Sequence, residues 1–175
     1  MRRLSLNARM IQDEQSSDEI YVVLFKVTHP DLAEPIRLST DNTERIASEP
    51  DVIYGTRSSW GGANPVTEPY LWIIASALVP SDLEDAPAAA TISLENLDRE
   101  MVTLLRSFST PATVAMAVVL ASSPDLVEQE WTDLQLVSAD IDAGEIVIAF
   151  SREEIELEFY PGGRMTRDRF PGLHL

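Results

Sequence analysis

Two imidazoles, His29 and His174, and 29 carboxylates are the groups from which this 175-residue chain could build acid–base or metal chemistry. A Ser-His-Asp site would have to use one of the two histidines. His174 is the penultimate residue, where a side chain is poorly held and makes a bad general base. Neither histidine has another at metal-ligand spacing, and with no cysteine in the chain, thiolate metal sites and disulfides are excluded. Asp82, Glu84 and Asp85 form the densest acidic cluster. They lack the alternating oxygen ligands and turn glycine of a calcium loop and read as a solvated loop. Neither a GxSxG elbow nor a P-loop occurs. Carboxylate pairs for glycoside hydrolysis are numerous in so acidic a chain, but a fixed separation, which number does not supply, decides that chemistry. The reading is a non-enzymatic chain with no cofactor and no metal, and a small hydrolase using paired carboxylates is the enzymatic alternative.

The aromatic residues offer a second kind of site. Trp60 sits in a stretch, Ser58 to Pro69, that holds Gly61, Gly62, Asn64 and two prolines and reads as a loop. A tryptophan exposed there, with Tyr70 nearby, could stack on sugar rings and make the chain a carbohydrate-binding or host-recognition module. The plainer expectation is that Trp72 and Trp131 belong to the core and that Trp60 packs at an interface.

The elements that must position these residues are mostly strands. Ile20 to Thr28 is rich in β-branched and aromatic residues and apolar on both faces over much of its length. Pro35 to Ser39, Val52 to Thr56 and Thr91 to Leu94 read as short strands. Tyr70 to Val79 is an apolar run with an aromatic start, ended by Pro80. In Ala112 to Ser122, Val114, Met116, Val118 and Leu120 alternate with Ala115, Ala117, Val119 and Ala121. The second face is small enough for a helix or another subunit to approach closely. Thr132 to Ile141 and Glu145 to Ser151 form an expected hairpin around Asp142-Ala143-Gly144. Ile155, Leu157 and Phe159 alternate with Glu154, Glu156 and Glu158, the pattern of a half-buried strand with one acidic face.

One helix is expected, Leu97 to Phe108. Leu97, Met101, Leu104, Leu105 and Phe108 share a face at 3.6 residues per turn, Asn96 can cap the start, and Pro111 stops it. The polar segments Asn7 to Glu19 and Ser81 to Ala90 read as loops. The fold class is therefore mainly β: a β-sandwich or partly open barrel with one flanking helix. The expected division is an N-terminal arm over 1–19, a β domain with its helix over 20–160, and a C-terminal segment over 161–175.

Net charge is −16, which argues against nucleic-acid binding through phosphate neutralisation. Arg2, Arg3 and Arg9 at one end and Arg164, Arg167 and Arg169 at the other leave basic ends on a more acidic body. Such a distribution suits contacts with other copies or acidic neighbours. No apolar run approaches the ~18 residues of a membrane-spanning helix, and no charged-then-apolar leader opens the sequence. The missing cysteines fit synthesis in a reducing cytoplasm. In the last segment glycine and proline bar regular structure, while Met165, Phe170, Pro171 and Leu173 are apolar among Arg164, Arg167 and Arg169. Arginines beside apolar anchors suit docking on another subunit.

Four stretches carry a resemblance: Thr28-His29-Pro30-Asp31-Leu32 with Pro35-Ile36-Arg37-Leu38; Thr91-Ile92-Ser93-Leu94-Glu95-Asn96-Leu97-Asp98-Arg99; Val119-Leu120-Ala121-Ser122-Ser123-Pro124; and Arg164 to Leu173, ending in Arg169-Phe170-Pro171-Gly172-Leu173. On these the chain resembles the minor tail proteins of long-tailed, siphovirus-type bacteriophages. That family is catalogued as a domain of unknown function and related to distal tail proteins. The resemblance implies a tail-tube-like fold repeated as a ring, usually a hexamer, that joins the tail tube to the hub and tip proteins around a DNA channel. The expected partners are other copies of the chain, the tube and hub proteins and the tape-measure protein, with DNA passing unbound and no insertion into membrane. Hexameric and threefold arrangements both remain open. The family brings no catalytic residues. Either the Glu154/Glu156/Glu158 face or the Asp82, Glu84 and Asp85 loop is expected to face the channel.

Overall fold

The computed structural model describes residues 5–14, 17–78, 89–95, 110–142, 145–152, 168–169 and 172. The helix expected over Leu97 to Phe108, the strand expected over Ile155 to Phe159 and most of the acidic loop expected from Ser81 lie outside the described residues.

The chain is mainly β. Among the described residues one short α-helix, α1 (Leu6–Asp13), precedes ten strands: β1 (Tyr21–Thr28), β2 (Ile36–Ser39), β3 (Glu44–Ala47), β4 (Ile53–Thr56), β5 (Tyr70–Trp72), β6 (Ala75–Leu78), β7 (Ala89–Glu95), β8 (Thr113–Leu120), β9 (Ser123–Ile141) and β10 (Glu145–Arg152). They form one sheet in the order β3-β4-β5-β2-β1-β8-β9-β10-β7-β6, curled into a half-barrel. The partly open barrel, rather than a two-sheet sandwich, is thus the architecture found. Among the described residues all pairings are antiparallel except β2 with β5.

β5 is third in the sheet and β6 is last, yet only Ile73 and Ile74 separate them in the chain. Consecutive Cα atoms are about 3.8 Å apart, so the last strand must come within a few residues' reach of the third. The Ile73 amide still donates to Ser39 O at 2.9 Å, continuing the β5–β2 ladder, whereas Ala75 already pairs with Leu94 of β7. The apolar run expected as one element is therefore two short strands, one in each half of the sheet.

Alternation along β1 and β8 fills two cores, one on each face. Phe25 lies opposite Met116, and Val27 opposite Val114. Phe25, Met116 and Val114 form the larger core with Trp131, Leu134, Ile146, Ile148, Phe150 and Ile92, and Val27 packs against it. The opposite face carries Val22, Leu24, Ala117 and Val119, with Ala115 and Ala121 at its margin. Each large apolar side chain so buried contributes roughly 1.5–3 kcal/mol.

Three elements depart from the sequence reading. The N-terminal arm contains helix α1, where a loop was expected. Ser5 Oγ caps it by accepting from Ala8 N at 3.1 Å, and the Ser5 amide donates to Glu128 Oε2 of β9 at 2.8 Å, with Ala8 buried beneath. An isolated helix of this length is marginal, so this contact with a strand more than a hundred residues away is what allows it. β3 lies in a polar stretch with no strand-like alternation and forms by pairing with β4. β9 starts at Ser123, well before the expected Thr132, because bulges break its periodicity. One of these sets Thr132 and Asp133 against Ala115 and holds Asp133 at φ 59°.

Candidate functional site

The buried histidine comes nearest to a catalytic arrangement. His29 Nε2 lies 2.8 Å from Thr110 Oγ1 and 3.1 Å from Thr110 O, and His29 Nδ1 lies 3.5 Å from Asp31 Oδ2. A hydroxyl, an imidazole and a carboxylate thus stand in the spatial order of a triad. However, the Asp31 amide donates to Nδ1 at 3.1 Å. In the neutral ring that bond leaves the proton on Nε2, which then donates to Thr110. The imidazole has no free lone pair facing the hydroxyl, so it cannot take the Thr110 proton. The unit ties the turn after β1 to the residue leading into β8.

The loop between β4 and β5, residues 57–69, is the most elaborately built feature. It crosses the small-residue face of β8 and lays Trp60 and Ala63 on Val22, Leu24 and Ala117. The close approach expected of a helix or a second subunit is thus made by the chain's own loop. Trp60 is 8% exposed and Tyr70 0%, with ring centroids 5.8 Å apart. This corrects the expectation of Trp60 and Tyr70 as an exposed sugar platform and of Trp60 as a subunit contact. Trp131 is in the core as expected, while Trp72 is half-buried, edge-on to Tyr54 with centroids 6.5 Å apart.

Polar ties hold the loop at every step. Ser58 Oγ donates to Pro124 O at 2.7 Å, and the Ser59 amide and hydroxyl donate to Asp125 Oδ1 at 2.7 and 2.8 Å. Trp60 Nε1 donates to Glu130 Oε1 at 2.8 Å, and Tyr70 Oη donates to Trp60 O at 2.7 Å. Lys26 Nζ donates to Gly61 O at 2.5 Å. Gly61 has φ +63°, and a Cβ there would meet Lys26 Cδ at 3.0 Å, so glycine fits for both conformation and space. At the far end Glu68 Oε2 accepts from Asn64 N at 2.9 Å and pairs with Arg37 at 3.3 Å. The bonds from Ser59 hold the Asp125 carboxyl below its ordinary value of 3.8, and burial pushes the Tyr70 phenol up to about 12 against the opposing effect of Arg37.

The open end of the sheet presents a different surface. β3 is its outermost strand, with Arg57 pairing with Glu44 and donating to Ile46 O at 3.3 Å. Beside it Val52, Ile53, Tyr54, Leu71 and Ile74 are all exposed apolar residues. Gly55 lies opposite both Glu44 and Leu71, so Ile53 and Leu71 share one face of this corner. A second exposed apolar row, Leu6 and Met10, runs along α1.

Of the residues expected at subunit contacts, Arg169 is described and lies with Asp168 in an exposed turn. Arg164, Met165, Arg167, Phe170, Pro171 and Leu173 lie outside the described residues, as do the channel candidates Glu154, Glu156, Glu158, Asp82, Glu84 and Asp85. Among the described residues no group of three or more His, Asp or Glu side chains could hold a metal ion, and no helix is long and apolar enough to cross a membrane. No protein-family model matches the sequence, and no curated protein matches it.

Proposed function

We propose that this chain is a structural subunit of a phage tail. It packs beside copies of itself in a ring, hexameric, at the distal tail, where the ring joins the tube to the hub and tip proteins and surrounds the DNA path. It is made in the host cytoplasm and ends in the virion. The observation that carries this reading is the open sheet corner, where β3 is the edge strand among the described residues, flanked by Val52, Ile53, Tyr54, Leu71 and Ile74. An exposed strand edge with apolar neighbours is an aggregation hazard unless another surface covers it, and a ring supplies such a surface at every position. The four stretches that resemble minor tail proteins and the arginine-bearing, apolar C-terminal segment support the same role. The acidic balance also suits a chain that DNA passes without sticking.

Sedimentation of the purified protein and immunolabelling of virions test the proposal. A discrete oligomer is expected, dissociated by Ile53→Asp with Leu71→Asp at unchanged circular dichroism, with label at the tail tip. A monomer at all concentrations together with unlabelled particles overturns it.

A further inference from the structure

Two separate apolar patches stand on one molecule: the sheet corner of Val52, Ile53, Tyr54, Leu71 and Ile74, and the outer face of α1. We propose, resting on the reading of the chain as a ring subunit, that α1 of one copy docks on the β3–β5 corner of the next. The contact joins two different surfaces. Each copy therefore gives a helix to one neighbour and receives one from the other, the head-to-tail arrangement that closes into a ring.

α1 has one face spent on its own chain and an apolar face left over. Ala8 is buried and Ile11 half-buried, whereas Leu6 and Met10, one turn apart, are 76% and 59% exposed beside exposed Arg9. The bond from the Ser5 amide to Glu128 of β9 holds the helix and so presents that face in a fixed place. β9 lies five places from β4 in the sheet order, and both Leu6 and the corner stay exposed with the helix so held. α1 therefore does not cover the corner of its own chain.

Charge selects the pairing. Residues 1–12 carry Arg2, Arg3 and Arg9 and no acid, and the first acid, Asp13, is the last residue of the helix. Across 44–54 the corner carries exposed Glu44, Glu49 and Asp51 against exposed Arg45, and Glu44 already pairs with Arg57. A basic apolar helix thus meets an acidic apolar corner, whereas two corners face to face would set like charges together. Copies of net charge −16 repel at a distance, so complementary patches are what bring them into contact.

Sedimentation of the full chain and its variants tests the pairing. Leu6→Asp with Met10→Asp spoils the helix face, and Ile53→Asp with Leu71→Asp spoils the corner. Each double variant alone is expected to be monomeric at unchanged circular dichroism. Mixed in equal amounts, they retain one sound corner and one sound helix face between them, and a heterodimer is expected. If the first variant loses α1 itself, Arg9→Glu, which keeps both apolar residues, is expected to weaken association about tenfold, and adding Glu49→Lys with Asp51→Lys to recover it. An oligomer that survives the α1 variants while the corner variant dissociates overturns the pairing alone and leaves corner on corner. A mixture that stays monomeric also overturns it. A parent chain that is monomeric at all concentrations overturns both the pairing and the ring-subunit reading.

Discussion

Gly55 of β4 packs so closely on Tyr70 of β5 that a Cβ added to it would lie 2.0 Å from the Tyr70 carbonyl oxygen. The obstacle is backbone, which cannot swing aside as a long side chain can. Gly55→Ala must therefore push β4 away from β5, and a cost of about 2–3 kcal/mol is expected. The denaturant midpoint checks this, and the change should also disturb the exposed corner that Ile53 and Leu71 share.

Asp133 occupies the left-handed region at φ 59° inside a bulge of β9. Aspartate tolerates that conformation far better than a β-branched residue does. Asp133→Val is expected to cost about 1–2 kcal/mol, and Asp133→Gly to stay within about 0.5 kcal/mol of the parent, both read from urea unfolding.

Tyr70 ties alkaline stability to the loop over residues 57–69 through its bond to Trp60 O. Its folded-state value is raised to about 12 from 10.0, so its contribution is complete below pH 10 and fades as pH climbs through the folded value. Tyr70→Phe is expected to cost about 1 kcal/mol at neutral pH through the lost bond to Trp60 O. The same variant should lose less stability than the parent between pH 9 and pH 11.5 (roughly the phenol range). Unfolding curves at both ends of that interval measure the difference.

Trp60 behaves as a core residue. Trp60→Ala removes a ring packed on Tyr70 and leaves Glu130 without its indole donor, so a loss of about 3–5 kcal/mol is expected. Thermal unfolding with calorimetry reads it out. A variant of full stability that has lost a glycan affinity would instead restore the sugar-platform reading.

Much of this architecture was legible in the residues. β1, β2, β8 and β10 lie in stretches rich in apolar and β-branched residues, and strands stand where those stretches were expected to form them. The small-residue face of β8 announced a close neighbour, though not which one. The rest depended on distant partners. α1 needs Glu128, β3 needs β4, and β9 changes periodicity at bulges that no local composition marks. The site followed the same division. Tryptophan in a glycine-rich stretch suggested an exposed platform, and its burial became visible only when the loop folded it onto Tyr70 and Glu130 was brought to it from a strand far along the chain.

Two adjacent isoleucines, Ile73 and Ile74, carry the chain from the third strand of the sheet to its last. Tension on the β6 border is consequently passed through a two-residue covalent link to β5, inside the opposite flank. That border cannot peel far from β7 without pulling on β5, and a protease cut between these two residues would free it.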